Sequence, residues 1–350
     1  MLHSATDTLR HYAAHLKNRT LPCEHVIWHV TNRCNLACVH CGVWGGEKQY
    51  ADLSLEDFAR NIPNMIRLGV KYVTLTGGEP LLRKDIGDIL AVLKLSGFKV
   101  AMVTNGHYLE RFADKLTPYP LDSISISIDG GASFHNAIRL SETSYAETLS
   151  ALRVATQLDI QVRNVNTCVT PENLSSLKAL AEDIFAAGAN HWILRPVSVS
   201  GRATEMLKPD MDVLRDLLKF AARQLEKGLP VKVAGIGYMG PWHDLFYEEG
   251  YLDHTGWKSL YILPDGGIKG FNDDQLPLEG HLLKDDLEDL WWNRFELYRH
   301  RQVPEDCLNC NYFEVCGGGN HTEAEASYRC IKPLFGDFSA TASPVSDNKP

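Results

Sequence analysis

The chain has 350 residues, of which 44% are hydrophobic and 23% are charged. This balance is sufficient to bury at least one large core, and it excludes disorder, collagen or a coiled coil as a description of the whole chain. The 44 acidic and 35 basic residues give a formal net charge of -9, which excludes an extended basic surface for nucleic acid.

A short polar helix and a linker are predicted over residues 1–22, and alternating strands and helices follow. The apolar, β-favouring segments predict six strands, at 25–31, 72–76, 99–104, 123–128, 161–169 and 191–197. Capping residues and terminal glycines predict helices between them, at 54–68, 85–96, 108–116, 145–158 and 170–188. Such alternation favours parallel strands joined by right-handed crossovers. We therefore predict an α/β core that forms a partial (β/α)6 barrel, with its chemistry on the loops that follow the strands.

The pattern changes after residue 201. A helix is predicted at 210–227, followed by a glycine- and aromatic-rich stretch at 235–243, a hairpin at 259–262 and 268–271, and a helix at 287–300. The tail at 336–350 is rich in Ser, Ala, Pro and Asp and is predicted to be disordered. The predicted domains are an N-terminal helix and linker at 1–22, the barrel core at 23–205, a bridge at 206–256, a cysteine-rich domain at 257–335, and the tail.

Nine cysteines are present, and seven of them lie in two tight clusters. An odd number of clustered thiols does not indicate a disulfide framework. The first residues lack the basic and apolar segments of a signal peptide, and no apolar run is long enough to cross a bilayer. We therefore expect a cytoplasmic protein with no membrane or nucleic-acid partner, in which the clustered cysteines bind metal.

The first cluster, Cys34, Cys38 and Cys41, directly follows the first predicted strand. Tetrahedral structural zinc needs four ligands, and no fourth cysteine lies nearby. A zinc knuckle or three unrelated thiols is the alternative. Three cysteines would leave one iron of an iron–sulfur cluster open. The spacing of three and then two residues after a first strand resembles the signature of the radical S-adenosylmethionine (SAM) superfamily.

That resemblance implies a [4Fe-4S] cluster on the three cysteines, whose open iron chelates the amino and carboxylate groups of SAM. One-electron reduction then cleaves SAM to a 5′-deoxyadenosyl radical, which abstracts a hydrogen atom from the substrate. It also implies an electron donor of the flavodoxin or ferredoxin type.

Residues 76–80, Thr-Gly-Gly-Glu-Pro, follow the second predicted strand and resemble the family's GGEP motif. In that motif the glycines let the backbone approach and the acid meets the SAM ammonium. The ends of the next strands also look like the SAM-contacting segments of the family. For each of these residues taken alone, the alternative interpretation is a turn-forming residue or a buried amide whose hydrogen bonds are satisfied. The resemblance implies SAM contacts from His40, Gly77, Gly78, Glu79, Thr104, Asn105, Ser127, Asp129, Arg139 and Asn166.

The second cluster consists of Cys307, Cys310, Cys316 and Cys330. Its four thiols are a complete ligand set for either zinc or a [4Fe-4S] centre. With the predicted hairpin it resembles the SPASM/twitch extension of radical SAM enzymes, which binds auxiliary iron–sulfur clusters. A full SPASM region has a further cysteine before the hairpin, one just after it, and one four residues beyond the segment that corresponds to residues 307–316. Here Asn272 and Asn320 stand at the last two of these positions. We therefore predict one auxiliary [4Fe-4S] cluster, for electron transfer or structure, held by Cys307, Cys310, Cys316 and Cys330.

Two cysteines remain. Cys23 precedes the first strand and is predicted to be structural. Cys168 lies two residues after Asn166 on the fifth predicted strand, so both side chains share the face that we expect to border the SAM cavity. A thiol there can donate a hydrogen atom to a substrate radical. The alternative is a small core residue.

These features predict an enzyme that abstracts a hydrogen atom from a small polar substrate, a sugar, cyclitol or nucleoside in natural-product tailoring, with net oxidation or epimerisation. One alternative is a maturase that epimerises or cross-links a ribosomally made peptide through a thioether or C–C bond. A non-catalytic zinc-binding scaffold is the alternative from another class. Candidates to line the substrate pocket are Arg195, Arg202, Tyr238, Trp242 and His243.

Overall fold

The structure is a computed structural model that describes residues 4–47, 51–247, 254–273, 275–300, 303–319 and 330–334. The predicted tail at 336–350 and Asn320 lie outside these residues. In the part of the chain that is described, no helix is both long enough and apolar enough to cross a membrane.

Within those residues, ten strands form one sheet in the order β10-β9-β8-β1-β2-β3-β4-β5-β6-β7. The strands from β1 to β7 are parallel neighbours, and β8 pairs with β1 in parallel. β9 is antiparallel to β8, and β10 is antiparallel to β9. This topology confirms the predicted α/β fold. The strands are β1 His25–Thr31, β2 Tyr72–Gly77, β3 Lys99–Thr104, β4 Ser123–Ser127, β5 Val162–Val169, β6 His191–Pro196, β7 Val231–Val233, β8 Ser259–Ile262, β9 Gly267–Lys269 and β10 Gly280–His281.

Helices follow the strands of the barrel, and their apolar residues pack on the sheet. On α4, for example, Ile86, Ile89, Leu90 and Leu93 are all fully buried, at the spacing of one helix face. The α-helices are α1 Ala5–Lys17, α2 Leu55–Ala59, α3 Ile62–Arg67, α4 Ile86–Leu95, α5 Leu109–Leu116, α6 Ala132–Arg139, α7 Ser144–Gln157, α8 Leu177–Ala186, α9 Met211–Glu226, α10 His243–Phe246, α11 Leu287–Asn293, α12 Glu296–Arg299, α13 Glu305–Leu308 and α14 Phe313–Cys316.

Three predicted helices differ in the structure. The helix predicted at 54–68 is divided into α2 and α3, with Pro63 in the first turn of α3. The helix predicted at 287–300 is interrupted at Phe295, which has a φ of 68°. The helix predicted from residue 170 begins at Leu177. The intervening turn is held by Asn173, whose Nδ2 donates to the carbonyl of Cys168 at 2.7 Å.

The cysteine-rich region is continuous with the barrel, because β8 pairs directly with β1, from His25 opposite Ser259 to Trp28 opposite Ile262. Beyond the hairpin, Asn272 Nδ2 lies 3.0 Å from His29 Nδ1 on β1. The sheet therefore fixes the position of the hairpin relative to the first strand. The domain boundaries remain predictions.

Candidate active site

A cavity of about 210 Å³ lies at the carboxyl ends of strands β1 to β5. It brings together most of the residues that the motifs single out from separate parts of the sequence. Parallel strands end at the same edge of the sheet, so the loops that follow them converge there. The predicted residues that line the cavity are Cys34, Cys38, His40, Cys41, Gly77, Gly78, Thr104, Asn105, Ser127, Arg139 and Cys168.

The three clustered cysteines border this cavity and are largely shielded from solvent. Burial raises the pKa of Cys34 to about 11 and also raises that of Cys38. The protein alone therefore does not favour thiolates at Cys34 and Cys38. A metal centre would supply the positive charge that the thiolates need. The backbone N–H of Gly45 donates to Cys41 Sγ at 3.3 Å, as expected beside a ligating sulfur. The donor set thus fits an iron–sulfur cluster.

Gly77 and Gly78 bring the end of β2 against the end of β1. A Cβ at Gly77 would lie 2.4 Å from the carbonyl oxygen of Thr31, and Gly77 has a φ of +152°. A Cβ at Gly78 would lie 2.3 Å from the carbonyl oxygen of Arg33. Only glycine fits at these positions, so the motif sets the distance between the cysteine loop and β2.

Glu79 is fully buried behind the cavity wall. Its Oε1 accepts hydrogen bonds from Thr104 Oγ1 at 2.8 Å and from the N–H of Leu81 at 3.1 Å. Its Oε2 accepts from the N–H of Asn105 at 2.9 Å. The carboxyl group thereby fixes the corner at the end of β3. Its predicted contact with the SAM ammonium remains a prediction.

A buried ion pair stands beside the cavity. Asp129 Oδ2 accepts from Arg139 Nε at 2.7 Å, and both side chains are almost completely buried. The same oxygen lies 3.4 Å from His40 Nε2, while Oδ1 accepts from the N–H of Cys168 at 3.1 Å. The Arg139 guanidinium holds the pKa of Asp129 below its usual range, against the effect of burial. Asp129 is therefore a carboxylate that orients both His40 and β5.

Behind this pair, His135 is fully buried as a neutral imidazole. Its Nδ1 accepts from the N–H of Asp129, and its Nε2 lies 3.0 Å from Ser144 Oγ. Because the backbone N–H must donate, the imidazole proton is assigned to Nε2. Burial, together with the nearby Arg139, lowers the pKa of His135 to about 3.

We expect the stability of the protein to fall below pH 6.5 partly because of His135. The unfolded chain takes up a proton at this residue below its ordinary pKa, and the folded chain does not until about pH 3. The free energy of unfolding should therefore fall by about 1.4 kcal/mol per pH unit from this residue. Urea unfolding of His135→Gln between pH 7.5 and pH 5.5 should show a smaller slope than the wild type. The exposed His191→Gln is the control, and equal slopes for His135→Gln and wild type would contradict the assignment.

Cys168 lines the cavity, as the two-residue period of β5 predicts. Its sulfur lies within 4.8 Å of ligand atoms of both His40 and Asp129. Burial, reinforced by the Asp129 carboxylate, raises the pKa of Cys168 to about 12, so the group is a protonated thiol. Asn166, on the same face of β5, accepts from Asn164 Nδ2 at 3.2 Å.

The four C-terminal cysteines surround a second, small cavity of about 40 Å³. Cys307, Cys310, Cys316 and Cys330 all line it, although Cys330 is distant from the other three in sequence. Burial raises the pKa of Cys316 to about 11, so a thiolate at this position needs a cation beside it. Four cysteines that line one cavity fit a fully ligated auxiliary cluster.

The five predicted substrate-pocket residues occupy different places. Arg202 donates to the carbonyls of Cys38 and Gly45 and so clamps the first cysteine loop, while also lining the cavity. Trp242 is buried in the hydrophobic core. Tyr238 lines the four-cysteine site, with His243 against it. Arg195 is exposed and lies opposite Cys168 in the β5–β6 register.

Cys23, by contrast, is fully buried before β1, with its sulfur 3.9 Å from the carbonyl of His25. The role of Asn35 beside the cavity was not predicted. Its Oδ1 accepts from Asn105 Nδ2 at 2.9 Å and so joins the cysteine loop to the end of β3. Four further residues line the cavity without having been predicted, which are Leu36, Gly42, Gly45 and Val103. The glycine-rich run after Cys41 was the available indication for Gly42 and Gly45.

Comparison with known proteins agrees with this geometry. Residues 28–184 match the model of the radical SAM superfamily. The AdoMet-dependent heme synthase of Methanosarcina barkeri is 27% identical in an alignment that covers 84% of this chain and 90% of that protein. Mycofactocin maturase MftC of Mycolicibacterium smegmatis is 27% identical in an alignment that covers 83% of this chain and 76% of MftC.

Among solved structures, Streptococcus suis SuiB superposes with a TM-score of 0.72 at 17% identity, covering 91% of this chain and 79% of SuiB. SuiB has also been solved with S-adenosylmethionine and with its precursor peptide SuiA. At this identity the likeness establishes the fold. The matched model, the partial barrel and the three-cysteine cavity agree: residues 28–184 are a radical SAM domain, a type of domain that uses SAM and a [4Fe-4S] cluster.

Proposed function

We propose that this enzyme modifies a ribosomally made peptide and that Cys168 returns a hydrogen atom to the substrate, so that the net reaction is epimerisation. The substrate class rests on the similarity to MftC, a maturase, which extends over 83% of this chain. This similarity favours the peptide over the sugar-type substrate that the sequence alone suggested. The hydrogen return rests on the position of the Cys168 thiol in the cavity wall.

The protein supplies a suitable environment for that step. SAM and a [4Fe-4S] cluster held by Cys34, Cys38 and Cys41 would supply the 5′-deoxyadenosyl radical that removes a hydrogen atom from a substrate carbon. Cys168 is then the hydrogen source, because its raised pKa keeps the thiol protonated beside Asp129. Transfer forms a C–H bond, breaks the S–H bond and leaves a thiyl radical. A cluster held by Cys307, Cys310, Cys316 and Cys330 would supply the electron that, with one proton, restores the thiol.

Cys168→Ala should separate hydrogen abstraction from hydrogen return. In deuterated water the wild type should give a peptide product with one deuterium at one Cα, because the thiol exchanges its hydrogen with solvent. The variant should lose this labelled product by at least about 100-fold, while 5′-deoxyadenosine formation persists. Mass spectrometry of product and nucleoside measures both.

Cys23→Ala is the matched control, because it removes the other cysteine outside the two clusters at a buried position away from the cavity. It should keep the label. Label incorporation by Cys168→Ala at the wild-type level would exclude Cys168 as the hydrogen donor. An oxidised or cross-linked peptide without label would replace epimerisation with one of those reactions.

A tetrapyrrole substrate is the second candidate, because the Methanosarcina barkeri relative is an AdoMet-dependent heme synthase and covers 84% of this chain. The two classes are distinguished by substrate-dependent formation of 5′-deoxyadenosine. The reconstituted enzyme is given SAM with either synthetic 12-residue peptides that together present every residue type, or iron coproporphyrin III. Stimulation by peptides supports the proposal, and stimulation by the porphyrin alone overturns it.

A further inference from the structure

A row of aromatic side chains connects the four-cysteine site to the wall of the barrel. Tyr312 and Tyr238 both line the four-cysteine cavity, and their ring centroids are 6.1 Å apart. Tyr238 contacts His243 at a centroid distance of 5.0 Å. His243 stacks on Tyr247 at 5.1 Å with an interplanar angle of 22°. Each ring is therefore in contact with the next.

The far end of this row lies at the end of β7. The hydroxyl of Tyr247 donates to the carbonyl of Val233 on β7 at 2.8 Å. Val233 pairs with Leu194 on β6, and the next residue of β6, Arg195, pairs with Cys168 on β5. The row thus runs from the auxiliary site to the neighbourhood of the cavity thiol.

The interior rings are protected from solvent. Tyr238 is 8% exposed and His243 is 2% exposed. Burial raises the pKa of both Tyr238 and Tyr247, so both are neutral phenols. Neutral phenols can be oxidised and reduced by one electron with loss and gain of a proton, and phenoxyl and thiyl radicals are of comparable stability. These are the properties of intermediate stations for a single electron.

We infer that Tyr238 and Tyr247, joined by His243, carry single electrons between the auxiliary cluster and the cavity at Cys168. In the proposed reaction, the Cys168 thiyl radical gains one electron and one proton to regain its S–H bond. A tyrosine supplies them and becomes a phenoxyl radical, which the reduced auxiliary cluster then reduces with uptake of a proton from solvent. The cluster is thereby oxidised by one electron. This inference rests on the proposed role of Cys168.

The test needs no identified substrate. Enzyme with both clusters reduced, and freed of excess reductant, is mixed with SAM in deuterated water and freeze-quenched. Without substrate, the 5′-deoxyadenosyl radical should take a deuterium atom from Cys168, and the auxiliary cluster should then be oxidised. Electron paramagnetic resonance follows the auxiliary cluster, and mass spectrometry of 5′-deoxyadenosine measures the deuterium.

Tyr238→Phe and Tyr247→Phe keep the rings and remove the phenols. Each should slow the loss of the auxiliary cluster signal by about tenfold or more, with unchanged deuterium content and unchanged oxidation of the SAM-site cluster. Tyr145→Phe, on the outer helix α7, should match the wild type. Iron content confirms that both clusters are present in each variant.

Two outcomes would contradict different steps of this inference, the aromatic path or the role of Cys168. If deuterium still enters 5′-deoxyadenosine but both variants oxidise the auxiliary cluster at the wild-type rate, the aromatic path is wrong and Cys168 keeps its role. If the wild type incorporates no more deuterium than Cys168→Ala, the proposed role of Cys168 is wrong.

Discussion

A variant with Cys34, Cys38 and Cys41 all replaced by alanine should lose SAM cleavage completely and bind about four irons per chain, against about eight in the wild type. The reason is geometric, since these three cysteines border the cavity at the ends of β1 to β5 and the other four line a separate cavity. Iron and sulfide assays and chromatography of 5′-deoxyadenosine measure the two effects.

The reciprocal variant, with alanine at Cys307, Cys310 and Cys316, is the control. It should also bind about four irons but should continue to form 5′-deoxyadenosine. Stoichiometric zinc in the first variant, with no remaining iron, would overturn the auxiliary iron–sulfur cluster and favour a structural zinc site.

Replacement of Asp129 by Asn should have the largest effect on stability. The Arg139 guanidinium is almost completely buried, and Asp129 is the acid that pairs with it. Removing one partner of a buried ion pair typically costs about 3–5 kcal/mol, because the other charge is left uncompensated. The substitution also weakens the acceptor for the N–H of Cys168. Anaerobic urea unfolding followed by circular dichroism measures the loss.

The exposed Asp216→Asn on α9 should change the free energy of unfolding by less than about 0.5 kcal/mol. An equally small effect of Asp129→Asn would show that the ion pair contributes little to the folded state. Because the pKa of Asp129 is held below its usual range in the folded chain, the contribution of this pair to stability should be fully present throughout the range from pH 5 to pH 8.

The sequence was sufficient for the features that depend on local pattern. The six barrel strands were predicted because apolar residues recur along them between turn residues. The two-residue period also placed Cys168 on the cavity face. Strand β7 was not predicted, because Val231–Val233 is too short to show a period. Helix α6 was missed because it follows Gly130 and Gly131 and contains residues that were interpreted only as SAM contacts.

The features of the site that could not be predicted from the sequence depend on contacts between distant segments. The sequence shows an acid in a GGEP-like motif, but it does not show that Thr104 and Asn105 enclose Glu79. Likewise, Arg202 was a substrate candidate on the basis of its position, whereas its partners are two carbonyls of the first cysteine loop and the carboxylate of Glu47. The break at Phe295 requires a positive φ at a residue type that rarely adopts it, and no local pattern indicates this.

The pairing of β8 with β1 has a consequence for biosynthesis. β1 emerges early from the ribosome, yet one of its two neighbours, β8, is separated from it by most of the chain. Until Ser259–Ile262 has been synthesised, one edge of β1 is open to pairing with other strands. Such long-range pairing is slow and exposes intermediates to aggregation. A gene fragment that stops before Ser259 should therefore give largely insoluble protein, although it would encode every cysteine of the first cluster.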